Sequence, residues 1–222
     1  MQEIKKDSIV TQVEFATEIE KNLGYFIIKR IIDVIGALCG ILIISPVMIV
    51  VGIWIKLDSK GPVFFAQKRV GQDGKRFMMY KFRSMCTNAE GLLKKLEADN
   101  EMSGPMFKIK EDPRITRIGK FIRKTSIDEL PQLINILKGE MSIVGPRPSL
   151  PKEVAQFTSF QKQRLVAKPG LTCYWQVRGR SDVSFEEWME MDVEYLMERN
   201  TLVDIVLIFK TVGVLFGDEK AS

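Results

Sequence analysis

Val34-Ile35-Gly36-Ala37-Leu38-Cys39-Gly40-Ile41-Leu42-Ile43-Ile44-Ser45-Pro46-Val47-Met48-Ile49-Val50-Val51-Gly52-Ile53-Trp54-Ile55 is a run of 22 residues without a charge. By length alone it reads as a membrane-spanning helix. Two features argue for a different path. Ser45-Pro46 lies at its middle, and a proline there removes one backbone hydrogen bond and clashes with the carbonyl four residues earlier, which kinks or breaks a helix. Each half is then about 15 Å long, half the hydrocarbon thickness. Basic residues also flank both ends, Lys29 and Arg30 before and Lys56 and Lys60 after, and the positive-inside rule keeps both ends in the cytosol. A re-entrant helix–break–helix satisfies both facts, with the Ser45 hydroxyl satisfying a backbone group freed at the break. An ordinary kinked spanning helix is the alternative, since prolines occur in those too.

On the N-terminal side, residues 1–24 are polar and of mixed charge with no apolar core, so no cleavable signal peptide is expected. At the other end, Thr201 to Gly217 is apolar but carries Asp204 and Lys210. An interfacial amphipathic helix is expected there, with a core helix as the alternative.

Between the two lies a mixed, loop-rich region. Gly61-Pro62 opens the strand-like Val63 to Gln67, Gly71-Gln72-Asp73-Gly74 signals a turn, and Phe77 to Phe82 is strand-like again, so a hairpin is expected. Thr87 to Glu101 has Leu92, Leu93 and Leu96 on one helical side before Ser103-Gly104-Pro105 breaks it. Short helices are expected over Thr116 to Lys124 and Ser126 to Lys138, the second with Ser126 as N-cap, Glu129 completing a capping box and Gly139 as the stop. Lys168-Pro169-Gly170 is a turn before the strand-like Leu171 to Val177, and Ser184 to Arg199 is an amphipathic helix. The fold class is therefore α+β, mainly α-helical with a small β-hairpin, carried on a membrane anchor.

The chain has no histidine. That excludes Ser-His-Asp and Cys-His mechanisms and His-ligated zinc, and leaves acid–base or nucleophilic work to Asp, Glu, Lys, Tyr, Cys or Ser. Cys39, Cys86 and Cys173 are odd in number and far apart, which fits free thiols in a reducing compartment. Cys173, near the Gly170 turn, is either a reactive thiol or a small buried apolar residue, and free cysteines are more often the latter. The net charge of +5 suits an anionic partner.

Within that basic balance one acidic pair stands out. From Lys108 to Arg147 there are nine Lys or Arg and five Asp or Glu, and two of the five, Asp128 and Glu129, are adjacent and just precede Pro131. Adjacent carboxylates raise each other's pKa unless a cation or metal compensates. Metal-assisted phosphoryl transfer wants that arrangement: a carboxylate nucleophile, a second carboxylate, and cations around phosphate. The competing reading makes Glu129 a helix cap, which is compatible with function because a helix start also attracts phosphate. Gly145-Pro146-Arg147-Pro148 holds one arginine between prolines, a restrained grip for phosphate or else a solvated loop residue.

The ordered stretches Lys29-Arg30-Ile31-Ile32-Asp33, Ser45-Pro46, Gly61-Pro62-Val63-Phe64-Phe65, Lys81-Phe82-Arg83-Ser84-Met85, Asp112-Pro113-Arg114-Ile115-Thr116, Thr125 to Gln132, Gly145 to Pro148 and Pro169-Gly170-Leu171-Thr172 resemble the bacterial sugar transferases, the monotopic phosphoglycosyl transferases. The resemblance covers roughly residues 26–216. It implies transfer of a sugar-1-phosphate from a UDP-sugar to a polyprenyl phosphate such as undecaprenyl phosphate, with release of UMP, at the start of capsule, O-antigen or exopolysaccharide assembly. It further implies a two-step, Mg²⁺-dependent route with Asp128 as nucleophile and Glu129 as its partner for metal binding or proton handling. Lys81, Arg83, Asp112, Arg114, Arg147 and Arg123 become candidate substrate contacts, Arg83, Arg114 and Arg147 for the diphosphate with Lys81 in support, and Arg123 with Arg117 and Lys124 for the lipid phosphate or anionic headgroups. Ser45-Pro46 becomes the anchor break, which favours the re-entrant reading.

The domain plan is a polar leader (1–25), a re-entrant anchor (26–58), a cytosolic catalytic domain (59–200), and an interfacial helix and tail (201–222). The expected place is the bacterial inner membrane among its lipids, with a homodimer expected from the family alone. Long members carry a multi-spanning N-terminal region, so the chain is expected to be a naturally short member or a truncation. Phe107 to Pro151 and the Gly179-Arg180 neighbourhood look most like the hexose-1-phosphate branch; an N-acetylated or dideoxy amino sugar is the alternative. No GxGxxG or DxD signature marks an ordinary nucleotide-sugar glycosyltransferase. Aromatics do not interleave with the basic stretch, so no nucleic-acid partner is expected. A non-enzymatic membrane scaffold is the remaining alternative.

Overall fold

The computed structural model describes residues 23–96, 109, 112–179 and 183–217. The helix expected from Thr87 to Glu101 is seen as α2 (Ala89–Leu96), its remainder lying outside the described residues, as does the polar leader before residue 23.

The apolar run is part of one helix, α1 (Leu23–Asp58), of 36 residues. At 1.5 Å per residue it is about 54 Å long, more than a single span requires. The sequence reading separates two halves at Ser45-Pro46, but the helix is continuous through Pro46. The reason is local. Pro46 has no N–H for the carbonyl of Leu42, and the Ser45 hydroxyl donates to that carbonyl instead at 3.0 Å.

Much of α1 is bare. Leu42, Ile43 and Leu57 are more than 70% exposed, and Ile27, Ile31, Ile35, Leu38, Ile49, Val50, Ile53 and Trp54 are also open. An apolar surface of this extent marks a membrane or partner contact. Among the described residues α1 is the one helix long and apolar enough to cross a membrane.

The opposite face of α1 docks on the body at both ends. Ala37 and Ile41 pack with Leu133, Ile136, Met141 and Met79, and further along Val51 and Ile55 pack with Phe82, Ile118 and Ile122. The basic flank is part of this docking. Lys29 Nζ pairs with Asp204 at 2.7 Å and donates to the Val144 carbonyl at 2.9 Å. Arg30 donates to the carbonyls of Ile136 and Leu137 at 2.7 and 2.8 Å, and Asp33 accepts from Ser142 and the Ile143 N–H.

The hairpin forms as expected, with β1 (Phe64–Val70) antiparallel to β2 (Arg76–Phe82). After it come α3 (Arg117–Lys124), capped by Thr116, a 3₁₀ turn (Ile127–Glu129), and α4 (Gln132–Lys138), stopped by Gly139 at φ 79°. The expected single helix from Ser126 is thus divided. Ser126 adopts a left-handed φ of 55° and its side chain caps nothing, so the capping box with Glu129 is absent. Pro131, lacking an N–H, is where the regular helix begins instead.

A second, parallel strand pair was not anticipated: β3 (Ser142–Val144) with β4 (Gly170–Thr172). The strand expected over Leu171 to Val177 stops at Thr172, and Tyr174–Arg178 turns into a helix, α7. Two single-turn helices, α5 (Pro151–Val154) and α6 (Ser159–Lys162), fill the β3–β4 connection. α8 (Phe185–Glu198) starts at a Ser184–Glu187 capping box, and α9 (Thr201–Gly217) follows. Tyr195, Leu207, Tyr174, Cys173 and Val144 make the core joining these last helices to the parallel pair.

Candidate active site

Two elements bring the acidic pair to its cations. The 3₁₀ turn presents Asp128 and Glu129, and β2 presents Lys81. Asn135 fixes the register between them. Fully buried in α4, it accepts from the Tyr80 N–H at 3.0 Å and donates to the Met78 carbonyl at 2.8 Å and to Glu140 at 2.7 Å, pairing with β2 as a strand would.

Glu129 Oε1 is 2.7 Å from Lys81 Nζ and 2.8 Å from an Arg147 Nη2. Asp128 Oδ2 is 3.9 Å from the same lysine, beyond hydrogen-bond reach. No hydrogen bond to the Asp128 carboxylate is found among the described residues, and its side chain keeps 10% exposure.

The two carboxyls are driven apart electrostatically. Burial raises Asp128, and Lys81 only partly offsets that. Burial would raise Glu129 too, but Arg147 and Lys81 hold it well below the ordinary carboxylate range. Burial lowers Lys81 against the pull of Glu129, and the Glu129 charge raises Arg147. One carboxylate is thus neutralised in place, and the other is left with free lone pairs. Oppositely shifted pairs of this kind mark acid, base and nucleophile assignments.

The other sequence candidates fall in different places. Arg123 is exposed on α3 and its charge acts on both Asp128 and Asp112. Asp112 and Arg114 form a bidentate pair with each other at 2.8 and 2.6 Å, and this holds Asp112 below its usual range. Arg83 is not beside the dyad: it donates to the carbonyls of Ser59, at 2.8 Å, and Lys60, capping the end of α1. Ser45 and Pro46 lie in mid-α1. Cys173 is fully buried and burial pushes its thiol up, which fits the apolar reading.

Sequence reasoning missed four contributors. Asn135 has no motif value, because an asparagine within a short helix has no distinctive spacing. Arg69 donates to the Pro148 carbonyl at 3.0 Å, and burial pushes its guanidinium down to about 10. Its signal was weak: one of two basic residues at the end of a strand. Arg164 and Asp192 sit under the Arg147 loop and are 28 residues apart in sequence.

Over residues 24–218 the chain matches the bacterial sugar transferase family. The chain belongs to the bacterial sugar transferases. Among its curated relatives in the family are the galactosyl transferase CpsE of Streptococcus agalactiae, 48% identical over 86% of this chain and 43% of the relative; the undecaprenyl-phosphate galactose phosphotransferase of Salmonella typhimurium, 43% identical over 87% and 41%; and the UDP-N-acetylgalactosamine-undecaprenyl-phosphate N-acetylgalactosaminephosphotransferase of Aeromonas hydrophila, 39% identical over 86% and 44%. The chain spans less than half the length of each of these three sugar transferases.

Proposed function

We propose that this sugar transferase moves a hexose-1-phosphate from a UDP-sugar to undecaprenyl phosphate, releasing UMP and starting assembly of a lipid-linked glycan. The observation that carries the reading is the split dyad: Asp128 with unengaged oxygens next to a Glu129 clamped by Lys81 and Arg147. In the first step an Asp128 oxygen attacks the phosphorus that bears the sugar. The bond from that phosphorus to the UMP oxygen breaks, and UMP leaves with the electron pair. A phosphate oxygen of the lipid then attacks the same phosphorus. The acyl phosphate bond breaks, Asp128 is regenerated, and the lipid carries a diphosphate-linked sugar. Without histidine no Ser or Cys can be activated in the usual way, so a carboxylate nucleophile suits this chain.

Both substrates are anions, and Lys81 and Arg147 supply fixed positive charge where charge develops. Arg123 is exposed and its charge reaches Asp128, which supports a role for it in meeting one of the phosphates. The donor chemistry also fits Mg²⁺. Both cations meet Glu129 at Oε1, which leaves its second oxygen, with Asp128, to hold the ion. Among the described residues no third acid or thiol joins them, and this metal commonly takes one or two carboxylates with substrate phosphates and water. When bound it would offset charge on the phosphate oxygens.

In this reading α1 serves as a re-entrant anchor that bends within the membrane at Pro46, where the proline removes one helical hydrogen bond. Its two ends dock on one body while Leu42, Ile43 and Val47 near Pro46 stay bare, which supports entry and return on the cytosolic face. α9 lies in the interface with Leu202 and Phe209 outward. The relatives' names cover both galactose and N-acetylgalactosamine donors, so the donor is the point to test. Purified protein with undecaprenyl phosphate and Mg²⁺ should release UMP from one UDP-hexose in a lipid-dependent manner. Release from UDP-N-acetylgalactosamine alone would replace the hexose by the N-acetylated sugar, and no release from any donor would overturn the function.

A further inference from the structure

Arg164 and Asp192 form an ion pair that the proposed chemistry does not use. Nη2 of Arg164 lies 2.7 Å from Asp192 Oδ2, with the side chains 2% and 0% exposed. Such a pair is a weak source of stability, because desolvating two charges offsets most of their attraction. Its geometry points to another role. Neither Asp192 oxygen receives a well-directed hydrogen bond among the described residues, since the guanidinium directs its N–H groups elsewhere. Nη2 donates to the Arg147 carbonyl at 2.6 Å, and Nη1 donates to Ser149 Oγ at 2.7 Å. One buried side chain thus holds the residues on both sides of Pro148, Arg147 by its carbonyl and Ser149 by its hydroxyl. Its own place is set by the rings of Phe157 and Trp188, at 5.8 and 5.5 Å. Trp188 stacks on Trp175, and Trp175 in turn lies 5.8 Å from the Arg147 guanidinium.

We propose that Arg164 and Asp192 are positioning residues for the transfer: Arg164 ties down the Arg147 carbonyl and the Ser149 hydroxyl, Asp192 orients Arg164, and together they set where Arg147 meets Glu129. This rests on the transfer reading above. A misplacement of about 1 Å in a catalytic group can cost about a hundredfold in rate, so a held loop has a direct kinetic consequence.

The test replaces the pair together, Arg164→Met with Asp192→Leu, because removing both charges avoids an orphaned buried ion. Two readouts are taken on the full chain in nanodiscs. The first is the ¹⁵Nε resonance of Arg147, assigned by its loss in Arg147→Lys. The pair variant is expected to shift or broaden it, and an unmoved resonance overturns the proposal whether or not the protein transfers sugar. The second is a double-mutant cycle on UMP release. The pair variant should lose about tenfold or more in kcat in the wild-type background but less than about threefold in the Arg147→Lys background, since residues acting through one another are not additive. Equal losses in both backgrounds overturn the proposal. If the pair variant does not fold, Ser149→Ala removes a single acceptor of Arg164 and is read in the same two ways. A wild-type protein without UMP release, but with a resonance that moves in the variant, refutes the transfer reading and leaves the positioning supported.

Discussion

Asp128 and Glu129 are neighbours in sequence, yet their surroundings give them opposite proton affinities. Glu129 has two cations on one oxygen, while Asp128 is buried with the nearest lysine too far to bond. Asp128→Asn should abolish transfer, with unchanged thermal unfolding and membrane retention; an active variant would remove Asp128 from the mechanism. The pH dependence follows with a definite sign. A nucleophilic carboxylate must be ionised, so activity falls as pH drops through the raised pKa of Asp128. Lys81 lowers that pKa, so Lys81→Met should raise it further and move the acid limb of kcat/KM to higher pH. A limb that stays in place would separate Lys81 from Asp128. The pair itself was legible in the sequence as two acids in a basic stretch. The partner of Glu129 was not. The capping pattern Ser126-x-x-Glu129 is locally sound, but the left-handed turn at Ser126 and the tertiary pull of Lys81 and Arg147 outweigh it.

At the scale of elements, α4 ties the site together. Its start follows the dyad, Asn135 in its middle is sewn to β2, and its final carbonyls accept from Arg30 of α1. Asn135→Leu would leave the Tyr80 N–H and Met78 carbonyl without their partner. It should cost about 2–3 kcal/mol, the desolvation penalty of buried polar groups, and lower kcat by loosening Lys81 from Glu129. Denaturant unfolding and UMP release measure the two effects; a stable variant with full activity would deny Asn135 this role. The hairpin was readable because its turn residues and alternation are local signals. The pair β3–β4 was not, since three-residue strands carry no period. Gly170 shows what does fix it: a Cβ there would lie 2.2 Å from the Gly145 nitrogen. Close backbone approach of this sort is a tertiary fact that a lone glycine in sequence does not announce.

At the scale of the whole molecule, α1 and the body form one unit. The sequence located α1 and its Ser45-Pro46 centre from charge and length, and read Lys29 and Arg30 as topology signals. The structure uses those two residues to bolt α1 to Asp204, Val144 and the end of α4, a role that flanking charge alone could not reveal. With the re-entrant path proposed here, cysteines placed at positions 5 and 215 of an otherwise cysteine-free chain should react with an impermeant reagent from the same, cytosolic side. Labelling from opposite sides would make α1 a spanning helix.

The bolting of α1 along the body has a consequence for the proposed lipid acceptor. Under the proposed function, a seated α1 would hold Asp128 at a constant height above the bilayer, as on a gauge with a single mark. An acceptor is then judged by the level at which its phosphate floats, and that level is set by the headgroup plane. Polyprenols of quite different tail length should then reach the same mark, and tail length should enter turnover through partitioning into the bilayer.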